Sequence, residues 1–289
     1  MKKKLAMILA TVTALGLTAC GQGRAEASAA NTDAKAKTET VPQTEAVAET
    51  EAEAGTDISG TLTLAAAASL EKAYTEELIP MFEEQYPGVK VQGTYDSSGK
   101  LQSQIEAGAD VDVFFSAALK QMDALKEEGY IAEEASVDLL ENRIVLLVPT
   151  GKAEGYGSFE DIVNADMVAI GDPESVPAGQ YGKEALENLN LWGEVENQLS
   201  FGTNVTEVLN WVAEGSADAG IVYATDAASR ADKVTVVAEA PEGSVSKVIY
   251  PVAALKEAPN KEAADAFMEF LQTADALAVF ETAGFTINQ

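Results

Sequence analysis

Between Thr61 and Thr282, short apolar runs alternate with stretches of helical periodicity, and this alternation restricts the fold more than any other feature. Strand-type runs fall at Thr61–Ala67, Val89–Val91, Val111–Phe115, Arg143–Val148, Met167–Ile170, Ala219–Tyr223 and Val248–Leu255. Helical spacing occupies Leu70–Gln85, Leu101–Ala107, the segment from Leu119 to Gly129, Ala178–Leu189, Val205–Glu214, Lys261–Leu271 and Ala274–Thr282. In the first of these, Leu70, Tyr74, Leu78 and Phe82 recur at spacing four and form one apolar stripe. Ser69 is placed to cap that helix and Pro80 to kink it. Ser158-x-x-Asp161 resembles a capping box. Strands alternating with helices predict an α/β fold with parallel sheets. Residues 58–289 are enough for one large domain or two modest ones.

The N-terminus has a different character. Lys2, Lys3 and Lys4 precede an apolar run from Leu5 to Leu17, too short for a stable membrane span. It ends in Leu17-Thr18-Ala19-Cys20, which resembles a bacterial lipobox and contains the chain's single cysteine. Residues 1–20 are therefore expected to be a lipoprotein signal peptide. Lipid on Cys20 would anchor the protein to the cell membrane on its extracytoplasmic side. Residues 21–57 are rich in Ala, Glu and Thr and contain no aromatic residue, Leu or Ile. They read as a disordered acidic tether, because they cannot bury enough apolar surface to offset ordering entropy.

Composition removes whole classes of chemistry. Without histidine there is no imidazole base, no Ser-His-Asp triad and no histidine-built metal site. A single cysteine allows neither an internal disulfide nor a thiolate zinc cluster. The net charge is −28, which opposes nucleic-acid binding. No cofactor or protein-bound metal is expected.

Small and hydroxylated residues gather where strands give way to helices. They occur in Ala65-Ala66-Ala67-Ala68-Ser69-Leu70, in Tyr95-Asp96-Ser97-Ser98-Gly99-Lys100, from Gly171-Asp172-Pro173 to Pro177-Ala178-Gly179, and in Thr203-Asn204-Val205. Open α/β sheets bind ligands beyond the carboxyl ends of their strands. Helix N-termini there offer unpaired N–H groups, so several converging ends make an anion site. Any one of these serines or threonines alone would serve simply as a cap. Two phosphate and nucleophile motifs were weighed for the second segment. Gly93 and Gly99 enclose five residues and Leu101 follows Lys100, so it is not a Walker loop. Ser97-x-x-Lys100 fits the Ser-x-x-Lys of penicillin-recognising hydrolases, but neither Ser-Asp-Asn nor Lys-Thr-Gly occurs. Tyr223 closes a strand, where its hydroxyl can donate to a ligand oxygen.

Taken together, these segments resemble the molybdate-binding proteins of bacterial ABC transporters over nearly all of residues 58–289. The resemblance is carried by Ala66-Ala67-Ala68-Ser69-Leu70, Gln104-Ile105-Glu106-Ala107-Gly108-Ala109, Asp112-Val113-Phe114-Phe115-Ser116-Ala117, Gly220-Ile221-Val222-Tyr223 and Gly284-Phe285-Thr286-Ile287. Its most specific piece is Gly171-Asp172-Pro173-Glu174-x-Val176-Pro177-Ala178-Gly179-x-Tyr181. It implies a two-lobed type II periplasmic-binding-protein fold, with two mixed sheets flanked by helices. Lobe one would be residues 58–143 plus 251–289, and lobe two 144–250. It further implies that Ser69 and Ser98 bind molybdate through hydroxyl and N–H, Ala178 and Val205 through N–H, and Tyr223 through its phenol. Ser97 is a possible additional contact, since Asp96, Gly99 and Lys100 replace small residues of the family's serine-rich loop. Tungstate is expected to bind as well, and the partners would be an ABC permease and its ATPase, served by a monomer. Sulfate, phosphate or another oxyanion is the alternative ligand, and a Ser/Lys hydrolase the alternative class.

Overall fold

The computed structural model describes residues 57–288. The leader, Cys20 and the tether up to residue 56 lie outside the described residues. Among the described residues no helix is long and apolar enough to cross a membrane.

The strands form two sheets. The first contains β1 (Gly60–Ala67), β2 (Val89–Asp96), β3 (Val113–Phe115), β4 (Ser136–Asn142), β10 (Val248–Ala254) and β11 (Thr286–Ile287) in the order β11-β4-β10-β3-β1-β2. The second contains β5 (Ile144–Pro149), β6 (Val168–Gly171), β7 (Leu199–Gly202), β8 (Ala219–Tyr223) and β9 (Val234–Glu239) in the order β7-β6-β8-β5-β9. The principal helices are α1 (Glu71–Ala73), α2 (Ile79–Gln85), α3 (Ser98–Glu106), α4 (Leu119–Glu127), α5 (Pro177–Asn188), α6 (Trp192–Val195), α7 (Val205–Ala213), α8 (Ala224–Ser229), α9 (Lys261–Phe270) and α10 (Ala274–Thr282).

Purely parallel sheets are not what forms. β1 runs parallel to β2 and β3, and β6 to β7 and β8. β10 and β11, however, pair antiparallel in the first sheet, and β5 pairs antiparallel with β8 and β9. The parallel pairs are those joined through helices, as parallel crossovers require. β5 follows β4 after Arg143 alone and enters the other sheet without a crossover helix.

The apolar patterning explains the layers. β3 is buried on both faces: Phe114 packs with Leu101, Ile105, Met122 and Leu125 from α3 and α4. Val113 and Phe115 point the other way, where the Tyr74 ring lies 6.1–6.3 Å from those of Phe115, Phe267 and Phe280. A strand covered on both faces reads as a continuous apolar run, as this one does. In α7, Val205, Val208, Leu209 and Val212 are buried, and Asn204 caps the helix by accepting the Glu207 N–H at 2.9 Å.

One local expectation changes. Ser69 is not a cap: it lies inside a tight turn, Ala68–Leu70, with no capping bond from its side chain. The helical path from Glu71 to Gln85 runs on through Pro80. The five residues Tyr74–Leu78 just before it form a wider π turn. That widening gives the proline ring room against the preceding carbonyls. The Ser158–Asp161 capping box is present, on a short 3-10 helix, Phe159–Asn164.

Candidate functional site

Four chain segments meet between the carboxyl ends of the two sheets. β1 leads into the turn holding Ser69, β2 into α3, β6 into α5 and β7 into α7. Ser98 is the first residue of α3, Ala178 the second of α5 and Val205 the first of α7. Their N–H groups belong to first helical turns, which have no intrahelical acceptor. The three N-termini also direct the positive ends of their helix dipoles to one place.

Ser69, Ser97, Ser98, Ala178, Val205 and Tyr223 all line a single cavity of about 200 Å³, its mouth included. Every residue singled out for the site among the described residues is thus brought together. A larger cavity of about 730 Å³ lies behind Ser69, near Lys72, Glu76, Thr225 and Thr282. Three helix N-termini converge on the smaller space, so it is the convergence of donors and not the volume that marks the site.

The donors are held in place by the protein itself. The Ala117 N–H donates to Ser98 Oγ at 2.9 Å, so the Ser98 hydrogen is left to point elsewhere. Ser97 Oγ is buried and has no partner. The Tyr223 hydroxyl donates to the Ala117 carbonyl at 3.2 Å. Burial, aided by Tyr250, Tyr181 and Asp226, holds its pKa well above 10, so it remains a protonated donor. Ala117 escaped the sequence reading, although it orders two of these groups. Its one signal is position, just past the buried strand β3 in the quoted Phe115-Ser116-Ala117.

No lysine or arginine lines the cavity, and one carboxylate does, Asp96. Its Oδ1 accepts the Ser97 N–H at 2.8 Å, Lys100 Nζ at 3.2 Å and Asn204 Nδ2 at 3.3 Å. Oδ1 is thereby fully occupied, whereas Oδ2 has one long contact, Lys100 Nζ at 3.5 Å. The same contacts remove the hydrolase chemistry, because Lys100 is engaged with Asp96 and leaves Ser97 without a base. Among the described residues no cluster of metal-ligating side chains occurs.

The two sheets are also stitched together across the site. The Gly99 N–H donates to the Ser175 carbonyl at 3.0 Å, and Gln121 Nε2 to Gln180 Oε1 at 3.2 Å. With the Tyr223–Ala117 bond, these contacts shut the cleft. Gly179 lets α5 approach β6: a Cβ there would lie 1.9 Å from the Gly171 carbonyl oxygen.

Asp226, on α8 just after Tyr223, is buried with Oδ2 unpartnered. Burial pushes its pKa from 3.8 up to about 7, against the lowering effect of backbone hydrogen bonds. The folded state therefore holds a proton that the unfolded state releases near pH 4. Its contribution to stability falls as pH rises from about 4 to about 7 and stays low above that. Asp226→Asn should raise the melting temperature at pH 8 and leave it nearly unchanged at pH 4. An equal effect at both values in paired thermal melts would contradict this.

Comparison with known proteins gives a consistent set of relatives. The pattern of the bacterial extracellular solute-binding protein family matches residues 62–286. YvgL of Bacillus subtilis, provisionally described as an ABC transporter substrate-binding lipoprotein, is 42% identical over 78% of this chain and 86% of its own. The molybdate-binding protein ModA of Escherichia coli is 37% identical over 79% of this chain and 90% of its own. The periplasmic molybdate-binding protein of Azotobacter vinelandii superposes with a TM-score of 0.68 at 22% identity, covering 79% of this chain and all of its own. That last likeness is one of fold: two lobes, each built on a mixed sheet.

Proposed function

The chain belongs to the bacterial extracellular solute-binding protein family, and from that premise we propose that it captures molybdate and hands it to an ABC importer. It is a binding protein and not an enzyme. The observation that carries the molybdate reading is the predominance of hydrogen-bond donors around the cavity. Three helix N-termini and the hydroxyls of Ser69, Ser97, Ser98 and Tyr223 surround it, while Asp96 Oδ1 is already saturated. A fully deprotonated tetrahedral dianion accepts hydrogen bonds and donates none, so it finds a partner for every oxygen. Each such bond to a charged ligand contributes about 1.5–3 kcal/mol. Hydrogen phosphate also needs an acceptor, and the side chains lining the cavity include a single carboxylate, Asp96, held by Lys100. Tungstate has the same charge and shape and should bind alongside molybdate.

In this proposal Ser69 and Ser98 bind through hydroxyl and N–H, Ala178 and Val205 through N–H, and Ser97 adds a hydroxyl. Tyr223 turns its proton from the Ala117 carbonyl to the ligand. The lobes, 58–143 plus 251–289 and 144–250, close around the anion, and the closed complex is what a permease and its ATPase receive. Lipid on Cys20 keeps the receptor at the outer face of the membrane. The lipobox-like sequence and the lipoprotein description of the Bacillus relative support that anchor.

A thermal-shift panel with molybdate, tungstate, sulfate and phosphate tests the choice of ligand. At about a hundred times its dissociation constant a ligand adds roughly 2.7 kcal/mol of stability. Molybdate and tungstate should raise the melting temperature at the lowest concentrations. A rise with phosphate alone would reassign the ligand.

A further inference from the structure

We propose that Asn142 and Tyr250, neither of which lines the cavity, position the Ser69 hydroxyl so that its hydrogen is free to be donated to the ligand. This inference rests on the oxyanion reading above and names the residues that would orient one of its donors.

Asn142 ends β4, and Tyr250 lies on the neighbouring antiparallel strand β10. Asn142 Oδ1 accepts the Arg143 N–H at 2.8 Å, which decides which end of the amide carries oxygen. Nδ2 then faces the interior and donates to Thr225 Oγ1 at 2.9 Å and to Tyr250 Oη at 3.3 Å. An amide nitrogen has hydrogens and no lone pair to offer, so Tyr250 must accept there. A phenol has a single hydrogen. The shortest hydrogen bond of Tyr250 Oη is to Ser69 Oγ, at 3.0 Å, and the phenol hydrogen is assigned there and not to the nearby Tyr223 hydroxyl.

Ser69 therefore accepts from Tyr250, and its own hydrogen remains for the cavity that it lines. The Tyr250 ring cannot easily swing away: it is fully buried, edge-on to Tyr223 at 5.3 Å and to Phe285 at 5.2 Å. Ser98 is set in the same sense by the Ala117 N–H. Tyr250 and Asn142 are thus positioning residues for the Ser69 donor.

A double-mutant cycle with molybdate as the probe tests this. Tyr250→Phe keeps the ring and removes the donor. It should weaken molybdate binding about tenfold in a protein that retains Ser69. On a Ser69→Ala background the same change should cost less than about twofold, because the group that it orients is gone. Melting curves of the ligand-free variants establish that each is folded. Should Tyr250→Phe fail to fold, Asn142→Leu goes through the same cycle with the same expectation. An equal loss on both backgrounds, or no loss on either, overturns the relay and leaves the oxyanion reading intact. Wild-type protein that binds none of molybdate, tungstate or sulfate overturns that reading and the relay with it.

Discussion

Replacing Ser98 by alanine is expected to weaken molybdate binding by about tenfold to a hundredfold. The substitution removes a hydroxyl whose acceptor side is already filled by the Ala117 N–H at 2.9 Å, leaving its hydrogen for the ligand. A donor fixed beforehand gives up little rotational freedom on binding, so its loss is felt nearly in full. Alanine also strands the buried Ala117 N–H, which costs about 1–3 kcal/mol of stability. Calorimetric titration and a melt of the same variant separate these two effects. A variant that melts lower but binds molybdate as tightly as wild type would move the contact from Ser98 to its neighbour Ser97.

Gly99→Ala should weaken binding to a comparable degree for a purely steric reason. A Cβ at Gly99 would lie 2.5 Å from the Ser175 carbonyl oxygen and 2.8 Å from Ser175 Cα. Those are backbone atoms on the other side of the cleft and have no rotamer to change. The Gly99 N–H reaches the same carbonyl at 3.0 Å. Overpacking of this kind costs about 1–3 kcal/mol, which corresponds to roughly tenfold to a hundredfold in affinity. Gly99 sits in the first turn of α3, where alanine suits the backbone at least as well. The variant should therefore bind molybdate poorly, because the arrangement that places Gly99 against Ser175 is no longer accessible. Unchanged affinity would mean that the bound state does not bring Gly99 against Ser175.

Much of the site was legible in the sequence because its parts are local. Small residues at the ends of β1, β2, β6 and β7 each precede a helix or turn start, and a strand-to-helix junction can be read within a few residues. What brings them to one cavity is the sheet order, and the sheet order is long-range. The antiparallel placement of β10 between β3 and β4 joins residues 248–254 to residues 113–142, and no local periodicity encodes that. β4, β7, β9 and β11 escaped for a related reason. β7 and β11 have four and two residues, and β4 carries Asp138 and Glu141 among its apolar residues. Such strands are held by their neighbours more than by their own pattern. Ser69 was legible as a site residue but not in its surroundings. Its partner, Tyr250, is 181 residues away.

The acidity of the chain takes on a narrower meaning in this light. Its net charge of −28 opposes an anion site built from net charge. A closed cleft of N–H groups and hydroxyls acts at contact distance, whereas exposed carboxylates are screened over about 8 Å at physiological salt. Donor geometry and not charge is what holds the ligand in this account.

Calorimetric titration of the purified protein with molybdate, then with phosphate at pH 7 and physiological salt, tests that claim most directly. The account predicts one saturable site per chain for molybdate, and for phosphate a binding at least about a hundredfold weaker, the equivalent of roughly 2.7 kcal/mol. Phosphate binding as tight as molybdate, or no heat with molybdate at all, would contradict it.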